Sequence, residues 1–254
     1  MMLAALLIAL SYLSFNILWQ AYAVPILPLG LAPDTFDDAY VGCSEEMEEK
    51  AALLLKEEMA HHILLRESWE AAQKAWEHRR QGLTLPLGFK AQHGIAIMVY
   101  TNSSNTLYWE LNQAVRMGGG SREHYMRHFP FKALHFYLTR ALQLLRSHGG
   151  CSREPGEALS VFPEEREVLI PPHEVFLVTG FSQDGPRSLV TLWSYNQTCS
   201  HFNCAFLGGE KRRGCVPGPV VEQPESPSKG DFSLLSQKTL LLAPERFQLS
   251  RAGP

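Results

Sequence analysis

The hydrophobic period of this chain changes once, near Cys151, and that change restricts the fold more than any other feature. Before it, apolar residues recur at helical spacing. Within 44–80 they are Ala51, Leu54, Leu55, Met59, Ile63 and Leu64. Within 105–117 they are Leu107, Leu111, Ala114 and Val115, and within 131–147 Leu134, Leu138, Ala141, Leu142 and Leu145. The first stretch predicts one helix or two in sequence. Ser44-Glu45-Glu46 supplies an acidic start that suits a helix dipole, and Arg79-Arg80 before Gly82 a stop. Gly118-Gly119-Gly120 and His148-Gly149-Gly150 end the other two. Residues 94–100 form a short apolar run that fits a strand or a buried helix. After Cys151, segments of strand character follow at 158–163, 166–170, 173–181 and 187–195. Helices first and strands second predict an α+β domain.

The remaining stretches set the frame around that domain. Residues 1–19 carry no charged side chain, and Ala21-Tyr22-Ala23 gives a small-x-small cleavage pattern. Residues 1–23 therefore read as a signal peptide rather than a retained anchor. The domain proper is expected over 24–215. From Val216 onward six prolines fall in 39 residues, which reads as a disordered tail over 216–254. Leu240-Leu241-Leu242-Ala243 is too short for a membrane span or a lipid-anchor tail. The mature chain is thus expected to be soluble, secreted and extracellular, without a membrane anchor. Five cysteines, none in a C-x-x-C pair, favour disulfides over metal ligation. Asn102 and Asn196 head glycosylation sequons. A net charge of -3 gives no reason to expect a nucleic-acid partner.

Chemistry concentrates in Glu165-Arg166-Glu167-Val168-Leu169-Ile170-Pro171-Pro172. On a strand Glu165 and Glu167 would share one face, their Cα atoms roughly 6.5–7 Å apart. Two carboxylates so placed can serve one substrate, one near an oxocarbenium centre and the other near a cationic acceptor. Glu-x-Glu alone is most often an ordinary solvated strand face.

The wider context resembles the vertebrate ecto-ADP-ribosyltransferases. The resemblance rests on Glu-x-Glu-Val-Leu-Ile-Pro-Pro followed by Glu174-Val175-Phe176, and on Asp34-Thr35-Phe36-Asp37-Asp38 with Tyr40-Val41-Gly42-Cys43. It rests also on Tyr108 to Arg116, Phe131 to Leu138 and Leu192-Trp193-Ser194-Tyr195-Asn196, and it covers about residues 30–215. It implies a helical half packed on a β-sandwich-like half. The implied activity is transfer of ADP-ribose from NAD or NADP to an arginine-containing protein or small guanidine acceptor, with release of nicotinamide and no metal. Glu167 would hold the nicotinamide ribose and stabilise the oxocarbenium-like transition state. Glu165 would orient and help deprotonate the guanidinium. Tyr100 and Ser160 match positions lining the NAD site. Cys43 is implied to pair with Cys204, with Cys199 and Cys215 left open.

The sequence departs from that family at one place. Only 13 residues separate Cys151 from Glu165, where the family has several tens. The phosphate-gripping arginine and the Ser-x-Ser strand would fall in that interval, and neither is found. Arg153 stands in the wrong context, and Arg166 should face away from the glutamates. The domain is therefore expected to be internally truncated near 153–160. Two other readings follow: a catalytically impaired secreted form that acts as a binding protein, and an NAD glycohydrolase. Glu165 argues for arginine transfer over hydrolysis.

Other features carry less. His61-His62 is expected to serve packing or surface, since adjacent helical residues diverge. Gly118-Gly119-Gly120 lacks the Lys-Ser/Thr of a phosphate cradle. Lys211-Arg212-Arg213 reads as a solvated loop. Tyr108 and Trp109 are expected to pack.

Overall fold

The computed structural model describes residues 32–149, 159–161, 169–184, 187–214, 216–217 and 234–235. The expected signal peptide and most of the expected tail lie outside these residues. Six helices come first: α1 Ser44–His61, α2 Ile63–Arg79, α3 Ala91–Tyr100, α4 Leu107–Gly118, α5 Arg122–His128 and α6 Lys132–Gly149. Four strands follow: β1 Glu174–Asp184, β2 Arg187–Ser200, β3 Val216–Pro217 and β4 Leu234–Leu235. The α+β expectation holds. The strands form one antiparallel sheet in the order β3-β2-β1-β4. No helix among the described residues is long and apolar enough to cross a membrane.

The long helical stretch is two helices because His62 leaves the helical region, with φ -129° and ψ 97°. Its imidazole accepts the Leu65 N–H at 3.2 Å, capping α2. Its other ring nitrogen meets the Glu110 carboxylate of α4 at 3.1 Å. The His61-His62 pair therefore splits, and His62 becomes a joint tied to a third helix.

The ambiguous run at 94–100 is helical. Every residue from His93 to Tyr100 in α3 is buried. A helix covered on all sides has no polar face, so its sequence shows no stripe. Gly94 makes the close packing against α2 feasible: a Cβ there would lie 2.1 Å from the Trp76 ring.

The core joins α1, α2, α3, α4 and α6. Phe36 sits at one end of it, stacked on Tyr125 with ring centroids 4.0 Å apart and against Phe129 and Phe202. The segment that carries Phe36 is held by its own carboxylates. Asp37 and Asp38 are fully buried. Asp37 accepts the backbone N–H groups of His201 at 2.8 Å and Phe202 at 3.0 Å. Asp38 accepts those of Tyr40 at 2.9 Å, Cys204 at 2.9 Å and Ala205 at 2.7 Å. Burial raises the Asp38 pKa, opposed by these three N–H groups. Around this clasp, the Asn203 side chain exchanges hydrogen bonds with the Val41 backbone. The implied Cys43–Cys204 disulfide is formed, and Cys199 is disulfide-bonded as well.

Three expectations need correction. Residues 159–161 are not a strand: Leu159 is helical and 160–161 bend. Their backbone polar groups bond to side chains of the helical half, so no ladder forms there. Leu169 and Ile170 are not in a strand either, and Pro171-Pro172 beyond them have no N–H to donate. Trp109 is 55% exposed while Tyr108 packs against the core. Trp109 lies about 200° around α4 from the buried Leu107. Within the expected tail, β3 and β4 pair with β2 and β1.

Two measurements test this account. Replacing Asp38 with Asn turns an amide donor toward a backbone donor. Urea unfolding of Asp38→Asn should show a loss of about 2–3 kcal/mol. Glu58 of α1 accepts the Ala133 N–H at the start of α6 at 3.0 Å, and burial pushes its carboxyl up to about 7. A raised folded pKa means that stability is fully present below the unfolded value near 4.5 and is lost as pH rises through about 7. Melting curves across that window should show a decline in the native chain that is flattened in Glu58→Gln.

Candidate active site

Two helix ends, the middle of α4 and one short segment build the site. Tyr100 is the last residue of α3, 4% exposed, with its hydroxyl donating to Asn112 of α4 at 3.3 Å. Thr101 follows it. The Thr101 hydroxyl donates to the Ile97 carbonyl at 2.9 Å and accepts the Val161 N–H at 3.0 Å. One hydroxyl thus closes α3 and captures the segment that contains Ser160. From the other side Arg79, at the end of α2, donates from its guanidinium to the Ser160 carbonyl. Ser160 is 1% exposed. The two candidate NAD-site residues, Tyr100 and Ser160, are therefore each one residue from a shared hydrogen bond.

Glu165 and Glu167 lie outside the described residues. Their flanks are fixed. Upstream, Val161 is tied to Thr101. Downstream, Ile170 is 3% exposed, Glu174 donates its N–H to the Pro171 carbonyl at 3.1 Å, and Cys199 donates to the His173 carbonyl at 2.8 Å. The buried Glu174 carboxylate also pairs with Arg146 of α6. Both anchors belong to elements that the core holds in place.

Several buried titratable groups belong to the scaffold. The Tyr40 hydroxyl and a ring nitrogen of His135 share a hydrogen bond of 2.9 Å. Burial, with a smaller effect from nearby His173, lowers His135 to about 3, so it stays neutral at physiological pH. Burial holds Tyr137 up at about 12. A depression lined by Trp76, Arg80, Gln81, Leu85, Phe89 and Ala91 shares no lining residue with the Tyr100–Ser160 pair. Asn102, the first sequon, is partly exposed in the loop after α3, where its side chain accepts the Ser104 N–H at 3.1 Å. The second, Asn196, falls in β2.

Neither Thr101 nor Arg79 stands out in the sequence. Arg79 reads as a helix stop, and a threonine after a buried helix carries no signature of its own. Both act on another residue's backbone, which is invisible to side-chain pattern.

The model of the NAD:arginine ADP-ribosyltransferase family matches residues 29–154 and 150–200. The chain belongs to that family. It is 66% identical to ecto-ADP-ribosyltransferase 5 of Mus musculus over 309 aligned positions that cover all of both chains. It is 67% identical to ecto-ADP-ribosyltransferase 5 of Homo sapiens over 274 positions, 86% of this chain and 94% of the relative. The crystal structure of the eucaryotic mono-ADP-ribosyltransferase ART2.2 is similar at 28% identity and a TM-score of 0.56, over 70% of this chain and 99% of that one. The family match is split at the place where the spacing before Glu165 is short.

The positioning bonds can be checked directly. Thr101→Val keeps the side-chain shape and removes the acceptor for the Val161 N–H. Hydrogen exchange should show the Val161 amide opening at least about tenfold faster, with the amides of central α3 unchanged. Arg79→Met should loosen the same segment from its other side.

Proposed function

We propose that this chain acts outside the cell, transferring ADP-ribose from NAD or NADP to arginine side chains and releasing nicotinamide, at a rate far below that of its longer relatives. Family membership carries the reaction class. The names of the relatives support an extracellular location, and the apolar start of the chain supports secretion.

The residue roles follow from charge development. Departure of nicotinamide leaves positive charge on the ribose. Glu167 holds the ribose hydroxyl and stabilises that charge, which helps because the carboxylate is already in place when the charge forms. Glu165 grips and orients the acceptor guanidinium through paired hydrogen bonds and takes its proton. Tyr100 and Ser160 line the pocket that receives the nicotinamide end, and burial of both keeps water from that end. Their packing against α4 and α2 supports a preformed pocket.

The reduced rate rests on what the interval before Glu165 lacks. The alignment with the mouse relative spans 309 positions, against 254 residues in this chain. That difference, with the split family match, supports loss of the block that carries the arginine and the Ser-x-Ser strand. The guanidinium near the described part of the site is Arg79, which already donates to the Ser160 carbonyl. The nicotinamide end thus has its residues, whereas the pyrophosphate end lacks its main cation. Groups that act together in catalysis are not replaceable one by one.

Nicotinamide release from NAD, with an arginine ester as acceptor, tests the reading. We expect turnover roughly a hundredfold or more below a full-length relative, lost altogether in Glu167→Gln. Turnover equal to the relative would overturn the reduced-rate reading. Turnover unaffected by Glu167→Gln would overturn the role given to Glu167.

A further inference from the structure

The seven-residue helix α5 carries a histidine pair that the transferase reading does not use. His124 and His128 stand four residues apart, so they project from one face one turn apart. Their rings are already together, with centroids 4.7 Å apart and planes inclined by 31°. Both residues are exposed. The His124 backbone N–H donates to the Ser121 hydroxyl that caps the helix, at 3.0 Å. That bond leaves the imidazole free of the capping duty.

The rest of α5 holds this pair in place. Tyr125 is fully buried against Phe36 and Phe129. Arg122 donates to the Ala205 carbonyl at 2.8 Å, which ties the helix to the Asp38 clasp. On the same helix Arg122 reaches Glu210 at 3.9 Å, and Glu123 and Arg127 bridge each other at 2.7 Å. That bridge leaves the local charge close to neutral. A short helix on the surface, fixed at both its buried tyrosine and its first arginine, presents two imidazoles with little left to order.

We propose that His124 and His128 form a chelating site for a divalent transition metal of the zinc, copper or nickel class. Imidazole nitrogen suits these ions. Bonds of about 2.0–2.1 Å to one ion require the two nitrogens to approach to about 3 Å, so the rings turn from their tilted contact, with centroids 4.7 Å apart, to aim one nitrogen each at the ion. Among the described residues no group of three or more metal-competent side chains is found, so water completes the coordination. The affinity is therefore that of an exchangeable surface site, and the bound ion locks one turn of α5. Because α5 holds Tyr125 in the core and Arg122 on the clasp, occupancy stabilises the fold. Neither histidine has a part in the proposed transfer.

The test uses the untagged secreted chain and the metal ion alone, Zn(II) or Ni(II), followed by titration calorimetry and by thermal melting. The melting midpoint should rise with metal concentration, as binding to the folded state alone requires. His124→Ala and His128→Ala should each weaken binding by about tenfold or more. Both positions are exposed and alanine favours helix, so circular dichroism should confirm an intact fold. A third variant moves the first imidazole off the face: Glu123→His combined with His124→Ala keeps the histidine count and leaves the two histidines five residues apart, about 140° around the helix. It should bind as poorly as the single alanine variants. No binding by the native chain overturns the proposal. So does binding that survives when His124 and His128 are both replaced by alanine, or in the displaced variant, since other histidines of the chain would then be the ligands.

Discussion

Five backbone N–H groups end on two buried carboxylates, and the rest of the architecture depends on that arrangement. Asp37 and Asp38 sit in a segment without regular secondary structure, and their partners at 201–205 lie beyond the sheet. A buried carboxylate is unfavourable unless its lone pairs are filled, and here the filling comes from N–H groups that would otherwise be orphaned in a tight loop. The clasp thus solves two problems with one set of bonds. It places Phe36 over the aromatic core and brings the end of β2 against the first helices, so the helical and strand halves close on each other.

From that closure the site inherits its position. Thr101 and Arg79 come from helix ends in the core, and both reach into the short segment before the glutamates. Beyond the glutamates in sequence, Ile170 is buried and Glu174 pairs with Arg146 of α6. The described residues on either side of Glu165 and Glu167 are thus both tied to the helical half. Rigid support on both sides is what a reaction with developing charge needs, since a carboxylate displaced by an ångström loses much of its effect.

Much of this was legible in the sequence, with instructive exceptions. The stripes of α1, α2, α4 and α6 declare themselves because each helix keeps a wet face. α3 does not, because burial on every side erases the contrast on which periodicity depends. α5 escaped notice because seven residues around one buried tyrosine make no stripe. The Asp37-Asp38 pair was visible as part of a signature, but a signature does not say that its acids bind backbone amides 164 or more residues away. Trp109 was misplaced because an aromatic residue suggests packing even where the helical phase turns it outward. For the candidate site, family context proposed Tyr100 and Ser160, while the bonds that Thr101 and Arg79 make to the segment around Ser160 required coordinates.

The Cys43–Cys204 bridge closes a loop across 161 positions, and that loop contains all six described α-helices and the whole stretch that bears the glutamates. A protease that nicks the chain once inside the loop cannot separate the pieces. The fragments stay one covalent molecule, with the clasp still filled, for as long as the surroundings remain oxidising. Outside the cell such a nicked chain would persist as an apparently intact species. Its integrity is then governed by the redox state of its environment as much as by its folding energy.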